Sequence, residues 1–269
     1  MTGVQTCALP ISISFFNLKG GCGKTTSAIN LGYLLEQKAA AAGQRVLYVD
    51  CDMQANLTNS LMDYDLERPC IYHLMTGDKA LDDVLIPLNA RADIIPSSLL
   101  MATIDPRLSG MVGREFILKR KLAPVCDRYA YCLIDCSPSF SVVTTNALVI
   151  TDEILVPVQT EYYAVDGVHL LEETLAYVGE SLGVEKTISF IFATMHDGRN
   201  NINRLQYDNL KQNFSDQFIG QTIRKNIALV ESPIFKQSIF EYKPKANGAA
   251  DYTEVRRSEE RRVGKECRS

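Results

Sequence analysis

The chain contains no apolar stretch approaching the roughly eighteen uninterrupted residues that a membrane-spanning helix needs, so no transmembrane segment is expected. Its start, MTGVQ, lacks the basic region of a secretory signal, which leaves the cytoplasm as the expected compartment. Its eight cysteines include no C-x-x-C pair and follow no regular spacing, which argues against both a disulfide framework and a zinc site. His73, His169 and His196 are scattered without metal-ligand spacing. Positive charge is also scarce: a formal net charge of -4 excludes a protein that coats nucleic acid with its whole surface. Any DNA contact must then be a local basic patch. No internal repeat, low-complexity tract or long linker interrupts the chain.

What remains is an ordinary globular composition. The chain has 269 residues, 46% of them hydrophobic and 22% charged, enough to bury a substantial core. The two ends differ from the rest. Residues 1–12 (MTGVQTCALPIS) and 258–269 (SEERRVGKECRS) resemble translated sequencing-adapter read-through and are expected to be non-native. A single domain over residues 13–256 is the expectation. Residues 256–269 carry a net +3, so the remainder of the chain stands at -7.

Apolar periodicity divides that domain into alternating strands and helices. Residues 11–17 (ISISFFN) form a short apolar run ended by a glycine cluster, and residues 25–37 place Ile29, Leu31, Leu34 and Leu35 on overlapping helical faces. Gly43 closes that helix before a second strand at 45–49, completing a βαβ unit. Further strands are expected at 92–95, 130–134, 153–158, 188–193 and 218–223, and helices at 114–127, 142–151, 164–182 and 203–213. This alternation predicts an α/β fold, a doubly wound and mostly parallel sheet with helices on both faces.

The most informative string is Lys19-Gly20-Gly21-Cys22-Gly23-Lys24-Thr25-Thr26, which meets the G-x-x-x-x-G-K-[ST] rule and a stricter lysine-led version of it. Glycines let successive backbone N–H groups converge on one anion, and the phosphates also meet the positive end of the following helix. Gly20, Gly21, Cys22, Gly23, Lys24, Thr25 and Thr26 are therefore expected to cradle ATP or ADP. In that reading Lys24 reaches the β and γ phosphates and the Thr25 hydroxyl ligates Mg²⁺. The strand at 130–134 ends in Asp135, placed to hold Mg²⁺ through water. Cys22, Cys51 and Cys136 flank site residues, but neighbours on a strand face opposite ways, so they read as small buried hydrophobes.

The segment resembles the deviant Walker A motif of the ParA and MinD ATPases. That resemblance implies that Lys19 contacts the nucleotide of a partner subunit across an ATP-sandwiched homodimer, as an arginine finger would. Residues 50–58 (DCDMQANLT) resemble the family's D-x-D-P-Q-x-N-x-T segment, with Met53 where proline is usual. By position, Asp52 orients the attacking water and Asp50 supports the Mg²⁺ shell. Residues 154–171, 194–199, 223–233 and 242–252 follow the order of the partition branch of the family. The departures are Arg224 and Lys225 at the usual Pro-Arg, Ala228 at a frequent arginine, and a last helix expected to be cut short near Val255.

The resemblance implies a partition ATPase that dimerises on ATP, binds DNA without sequence preference and is nucleoid-associated when ATP-bound, resets by hydrolysis to ADP, and answers to a ParB-like centromere-binding protein. The expected phosphate-contacting residues are Arg199, Arg204, Lys211, Arg224, Lys225 and Lys236. The alternatives on the same scaffold are a MinD-like membrane-positioning ATPase, a mobile-element maintenance protein, an iron-sulfur reductase and a dethiobiotin-synthetase-like enzyme. A MinD-like protein should end in a basic amphipathic helix with bulky apolar residues, and residues 258–269 offer only Val263. No membrane partner is expected.

Overall fold

This computed structural model describes residues 10–63, 65 and 67–266, with side chains as far as residue 258. The first half runs β1 (Ile11–Phe15), α1 (Lys24–Ala41), β2 (Arg45–Asp50), α2 (Asn56–Leu61), α3 (Ile71–Thr76), α4 (Leu81–Val84), β3 (Ile86–Asn89), β4 (Ala92–Ile95), α5 (Ile104–Leu108), α6 (Ile117–Leu122) and β5 (Tyr129–Asp135). The second runs α7 (Val142–Ile150), β6 (Glu153–Gln159), α8 (Ala164–Leu182), β7 (Phe190–His196), α9 (Asn201–Asn213), β8 (Phe218–Arg224), α10 (Ile227–Glu231), α11 (Ile239–Tyr242) and α12 (Asn247–Glu266).

The eight strands form one sheet in the order β3-β4-β2-β5-β1-β6-β7-β8. Every pairing is parallel except β3 with β4. The strands read as near-continuous apolar runs because helices cover both faces. Two apolar clusters occupy those faces, one around Phe16, Val49, Ile134 and Val156, the other around Phe15, Tyr48, Leu133 and Phe192. Each fully buried aromatic or aliphatic side chain of this kind contributes about 1.5–3 kcal/mol relative to exposure.

The expected doubly wound architecture is present, and the differences are local. Helix α1 packs close on the sheet at Gly32, where an added Cβ would lie 2.4 Å from the Tyr48 hydroxyl and 2.8 Å from Leu133. The helix expected at 114–127 is divided into a 3-10 turn, the six-residue α6 and a second 3-10 segment, Ala123–Arg128. Pro124 in that last segment cannot donate the hydrogen bond that a continuous α-helix needs there. Strand β3 was not anticipated; it is a short edge strand carrying Pro87, a residue that signals against an inner strand.

The ends extend further than the sequence suggests. Ile11 and Ser12 belong to β1, where Ser12 is buried and its amide donates to Asp152 at 2.8 Å. Helix α12 runs to Glu266 instead of stopping near Val255. The other residues of the segments expected to be foreign, 1–9 and 267–269, lie outside the described residues.

Candidate nucleotide site

Strand register builds the site before any side chain is considered. Phe15 of β1 stands opposite Asp135 of β5, and Asp135 stands opposite Asp50 of β2. One row across three parallel strands therefore delivers two carboxylates to the edge from which the glycine loop leaves β1. In open α/β sheets ligands bind outside the carboxyl ends of the strands, and this row lies there.

The loop is held from three sides. Asn17 donates to the Pro157 carbonyl of β6 at 2.9 Å and accepts from the Lys19 amide at 2.9 Å. The Thr194 hydroxyl of β7 donates to the Cys22 carbonyl at 2.7 Å. Gly21 and Gly23 adopt φ of 73° and 96°, a region that other residues enter only at a cost, so glycine is required by conformation. A Cβ built at Gly20 or Gly21 meets no atom within 4 Å, so the hollow of the loop is open. Gly23 caps α1 without a side-chain hydrogen bond, which leaves the first amides of the helix directed at that hollow.

Lys24 is buried, and its ammonium donates to the carbonyls of Lys19 at 2.9 Å and Asn17 at 3.1 Å. Thr25 donates its hydroxyl to Asp135 Oδ2 at 2.6 Å. The other oxygen of Asp135, Oδ1, is buried and has no hydrogen-bond partner. Burial, and then the nearby Asp50 charge, push the Asp135 carboxyl well above the ordinary carboxylate range. A buried carboxylate with a spare oxygen beside a hydroxyl suits a divalent cation, which would offset that desolvation. Among the described residues no group of three or more His, Cys, Asp or Glu could hold a metal ion without other donors. Such an ion would thus lean on Thr25, phosphate oxygens and water, the usual surroundings of Mg²⁺.

Asp50 is employed differently from its neighbour. Its Oδ2 accepts from the Thr58 amide at 2.8 Å and hydroxyl at 2.7 Å, and Oδ1 accepts from the Asp52 amide at 3.1 Å. Burial lifts its carboxyl to about 6. Its reach is therefore to the loop that follows β2. That loop carries Asp52, half-buried, whose Oδ1 accepts from the Gln54 amide at 3.0 Å. Lys19 points to the opposite side of the site, where its ammonium pairs with Glu161 Oε2 at 2.8 Å. Both partners are about half exposed, so the pair is readily exchanged.

Sequence reasoning missed the roles of Asn17, Thr58, Glu161 and Thr194. Asn17 and Glu161 lie just beyond the carboxyl ends of β1 and β6, and Thr194 lies near the carboxyl end of β7, so that topological rule could have pointed to these three; Thr58 stands in α2, after the loop that follows β2. Cys51, Cys132 and Cys136 are buried, and burial pushes the last two to about 12. These thiols stay protonated and act as packing groups.

Comparison with known proteins follows the same lines. The AAA domain family model matches residues 11–189. The sporulation initiation inhibitor protein Soj of Bacillus subtilis is 35% identical over 246 residues, covering 90% of this chain and 95% of that protein. The chromosome-partitioning ATPase Soj of Treponema pallidum is 35% identical over 249 residues, with 91% and 95% covered. The chain belongs to the ParA/Soj family of ATPases. A Mycobacterium smegmatis structure described as cobyrinic acid a,c-diamide synthase, with bound ATP analogue and magnesium, superposes with a TM-score of 0.78 at 26% identity. It covers 92% of this chain and 93% of its own.

The six basic residues expected to touch DNA divide into two groups. Arg199, its side chain 91% exposed, grips Asp197 with Nε and Nη2, both at 2.9 Å, and those hydrogen bonds hold the Asp197 carboxyl down to about 2. Arg204 and Lys211 stand seven residues apart on exposed positions of α9, Arg204 against the Asn201 carboxamide, and Lys225 is exposed just after β8. Arg224 has an internal use: its guanidinium and amide both engage Asp251 of α12, the closest contact being 2.6 Å. Lys236 likewise meets the Asn59 carbonyl of α2 and approaches Asp63, just after that helix, at 3.6 Å. Among the described residues no helix is long and apolar enough to cross a membrane.

Proposed function

We propose that this chain is a DNA-partition ATPase that dimerises on binding ATP and Mg²⁺, holds DNA without sequence preference as a dimer, and resets by hydrolysis to ADP and phosphate. The observation that carries the reading is the Thr25 hydroxyl 2.6 Å from an Asp135 carboxylate whose second oxygen is buried and unpartnered, at the foot of a glycine loop. Lys24 would exchange its two loop carbonyls for the β and γ phosphates, while Thr25 and Asp135 would hold Mg²⁺, Asp135 through water. Held there, the cation would supply neutralisation of the charge that develops on the phosphates. Asp52 would orient water in line with the γ-phosphate, and Asp50 would hold the Asp52 loop in place. Lys19 would leave Glu161 and stabilise charge at the partner's nucleotide. A ParB-like protein is the proposed regulator, and DNA contacts fall to Arg199, Arg204, Lys211 and Lys225, with Arg224 and Lys236 as weaker contributors.

Light scattering and retention on unrelated DNA, each with ATP, ADP and no nucleotide, test the reading. Dimerisation and retention are expected with ATP only, and Asp52→Ala should prolong both. Equal retention in all three conditions would sink the switch. An amide synthase is the second reading, supported by the description of the mycobacterial neighbour. It is weaker, because that likeness is 26% identical against 35% for the partitioning relative.

A further inference from the structure

The edge of the sheet away from the glycine loop carries a second hollow, and strand register builds it as well. Ser12 of β1 stands opposite Cys132 of β5, which stands opposite Leu47 of β2. This row lies three residues before the row of Phe15, Asp135 and Asp50, so it is about 10 Å nearer the amino ends of the strands and faces the other way. Over it, between α6, the 3-10 segment after α6, and α7, is a cavity of about 340 Å³. Leu47, Leu122, Val125, Val149 and Ile150 give it apolar walls. Protein interiors leave few voids larger than a water molecule, and a hollow of this size with apolar walls and a few polar groups is the form of a small-molecule site.

The polar groups of the lining fix the charge of the occupant. Lys119, Ala123 and Asp152 are exposed and form the mouth. Asp152 is already engaged, since its Oδ2 accepts from the Ser12 amide at 2.8 Å. Ser12 therefore lies at this same end; it is buried, and among the described residues its hydroxyl makes no hydrogen bond. Lys186 is close by, its ammonium donating to the Thr151 carbonyl. Burial lowers the Lys186 pKa; the Asp152 carboxylate opposes that shift and the Lys119 ammonium adds to it. Two ammonium groups and one carboxylate thus act on the mouth, and among the described residues Lys119 meets no acid. The uncompensated charge is positive, which suits an anionic head group.

We propose that this cavity is a binding site for a small monocarboxylate with an apolar body, the body lying against Leu47, Val125 and Val149 and the carboxylate meeting the Lys119 ammonium and the Ser12 hydroxyl. At ~30 Å³ for each water-sized group the cavity holds about eleven non-hydrogen atoms, the size of a medium-chain fatty acid. The site shares no residue with the nucleotide loop or the proposed DNA contacts, so it stands apart from the partition reading.

Titration calorimetry of the full chain with nonanoate, butanoate and nonan-1-ol tests the site. Nonanoate is expected to bind at one site and to saturate below about 1 mM. Butanoate, with too short a body, and nonan-1-ol, without the charge, are each expected to bind at least about tenfold more weakly. Lys119→Met should weaken nonanoate by about fivefold or more, and Ala123→Phe, which places a ring in the mouth, should abolish its binding. Arg120→Met removes the adjacent charge outside the lining and should change affinity by less than about twofold. No binding of nonanoate, the result if the chain itself fills the cavity, would overturn the proposal. Equal binding of the alcohol, or equal losses from Lys119→Met and Arg120→Met, would overturn it too. ATP affinity measured on the same variants is expected to be unchanged and reports separately on the nucleotide site.

Discussion

Lys24 and Lys19 are two lysines of one loop with opposite surroundings. Lys24 is buried among carbonyls that also need a donor, whereas Lys19 is half exposed beside a carboxylate. Lys24→Ala is expected to abolish ATP binding at micromolar protein while leaving the circular dichroism unchanged, since the neighbouring backbone holds itself through Asn17 and Thr194. Glu161→Gln is expected to leave nucleotide affinity within about threefold, because an exposed ion pair contributes about 0–1 kcal/mol. Gly32→Ala acts through packing: a Cβ 2.4 Å from the Tyr48 hydroxyl should cost about 1–3 kcal/mol, read as a lower denaturation midpoint at unchanged m-value. At this scale the phosphate loop was legible from residues 19–26 alone, because glycine, lysine and threonine at fixed spacing have few other uses. Glu161 and Thr194 were not, since a single acid or hydroxyl becomes meaningful only when sheet order brings β6 and β7 beside β1.

Elements with a strong periodic signal were readable and short ones were not. The span of α8 follows from its apolar repeat, and the glycine at position 183 ends it in the left-handed region. The stretch between β2 and β5 holds α2 to α6, none longer than six residues, and such pieces owe their helicity to packing more than to local sequence. The join of β8 to α12 supplies the test at this level. Arg224 clasps the nearly buried Asp251 across the two elements, so Arg224→Ala should lower the melting temperature by several degrees, leaving the carboxylate with the backbone amide of residue 224 but without its guanidinium donors. Arg199→Ala should leave the melting temperature unchanged and weaken ATP-dependent DNA retention, with a shallower salt dependence. If the two variants behaved alike in both measurements, the division of basic residues drawn above would be wrong.

For the whole molecule, one buried acid far from the site sets a pH response. Glu36 stands on the buried face of α1, accepting from the Tyr48 hydroxyl at 2.7 Å, and burial lifts its carboxyl above the ordinary range. Its folded value exceeds its unfolded one, so the folded state binds the proton more tightly, and stability falls as pH rises from the unfolded value of 4.5 through the folded one. Glu36→Gln should flatten that part of the stability profile, measured by urea denaturation between pH 4 and neutrality as an approximate window. The row formed by Phe15, Asp135 and Asp50 has a consequence for assembly of the chain itself. Strand side chains alternate between faces, so a slip of β5 by one residue would turn its terminal carboxylate away from the glycine turn and expose an apolar flank instead. ATP affinity is consequently a gauge of strand alignment: molecules that refold with the central strands misaligned should stay in the flow-through of an immobilised-ATP column, even where their helix content is native.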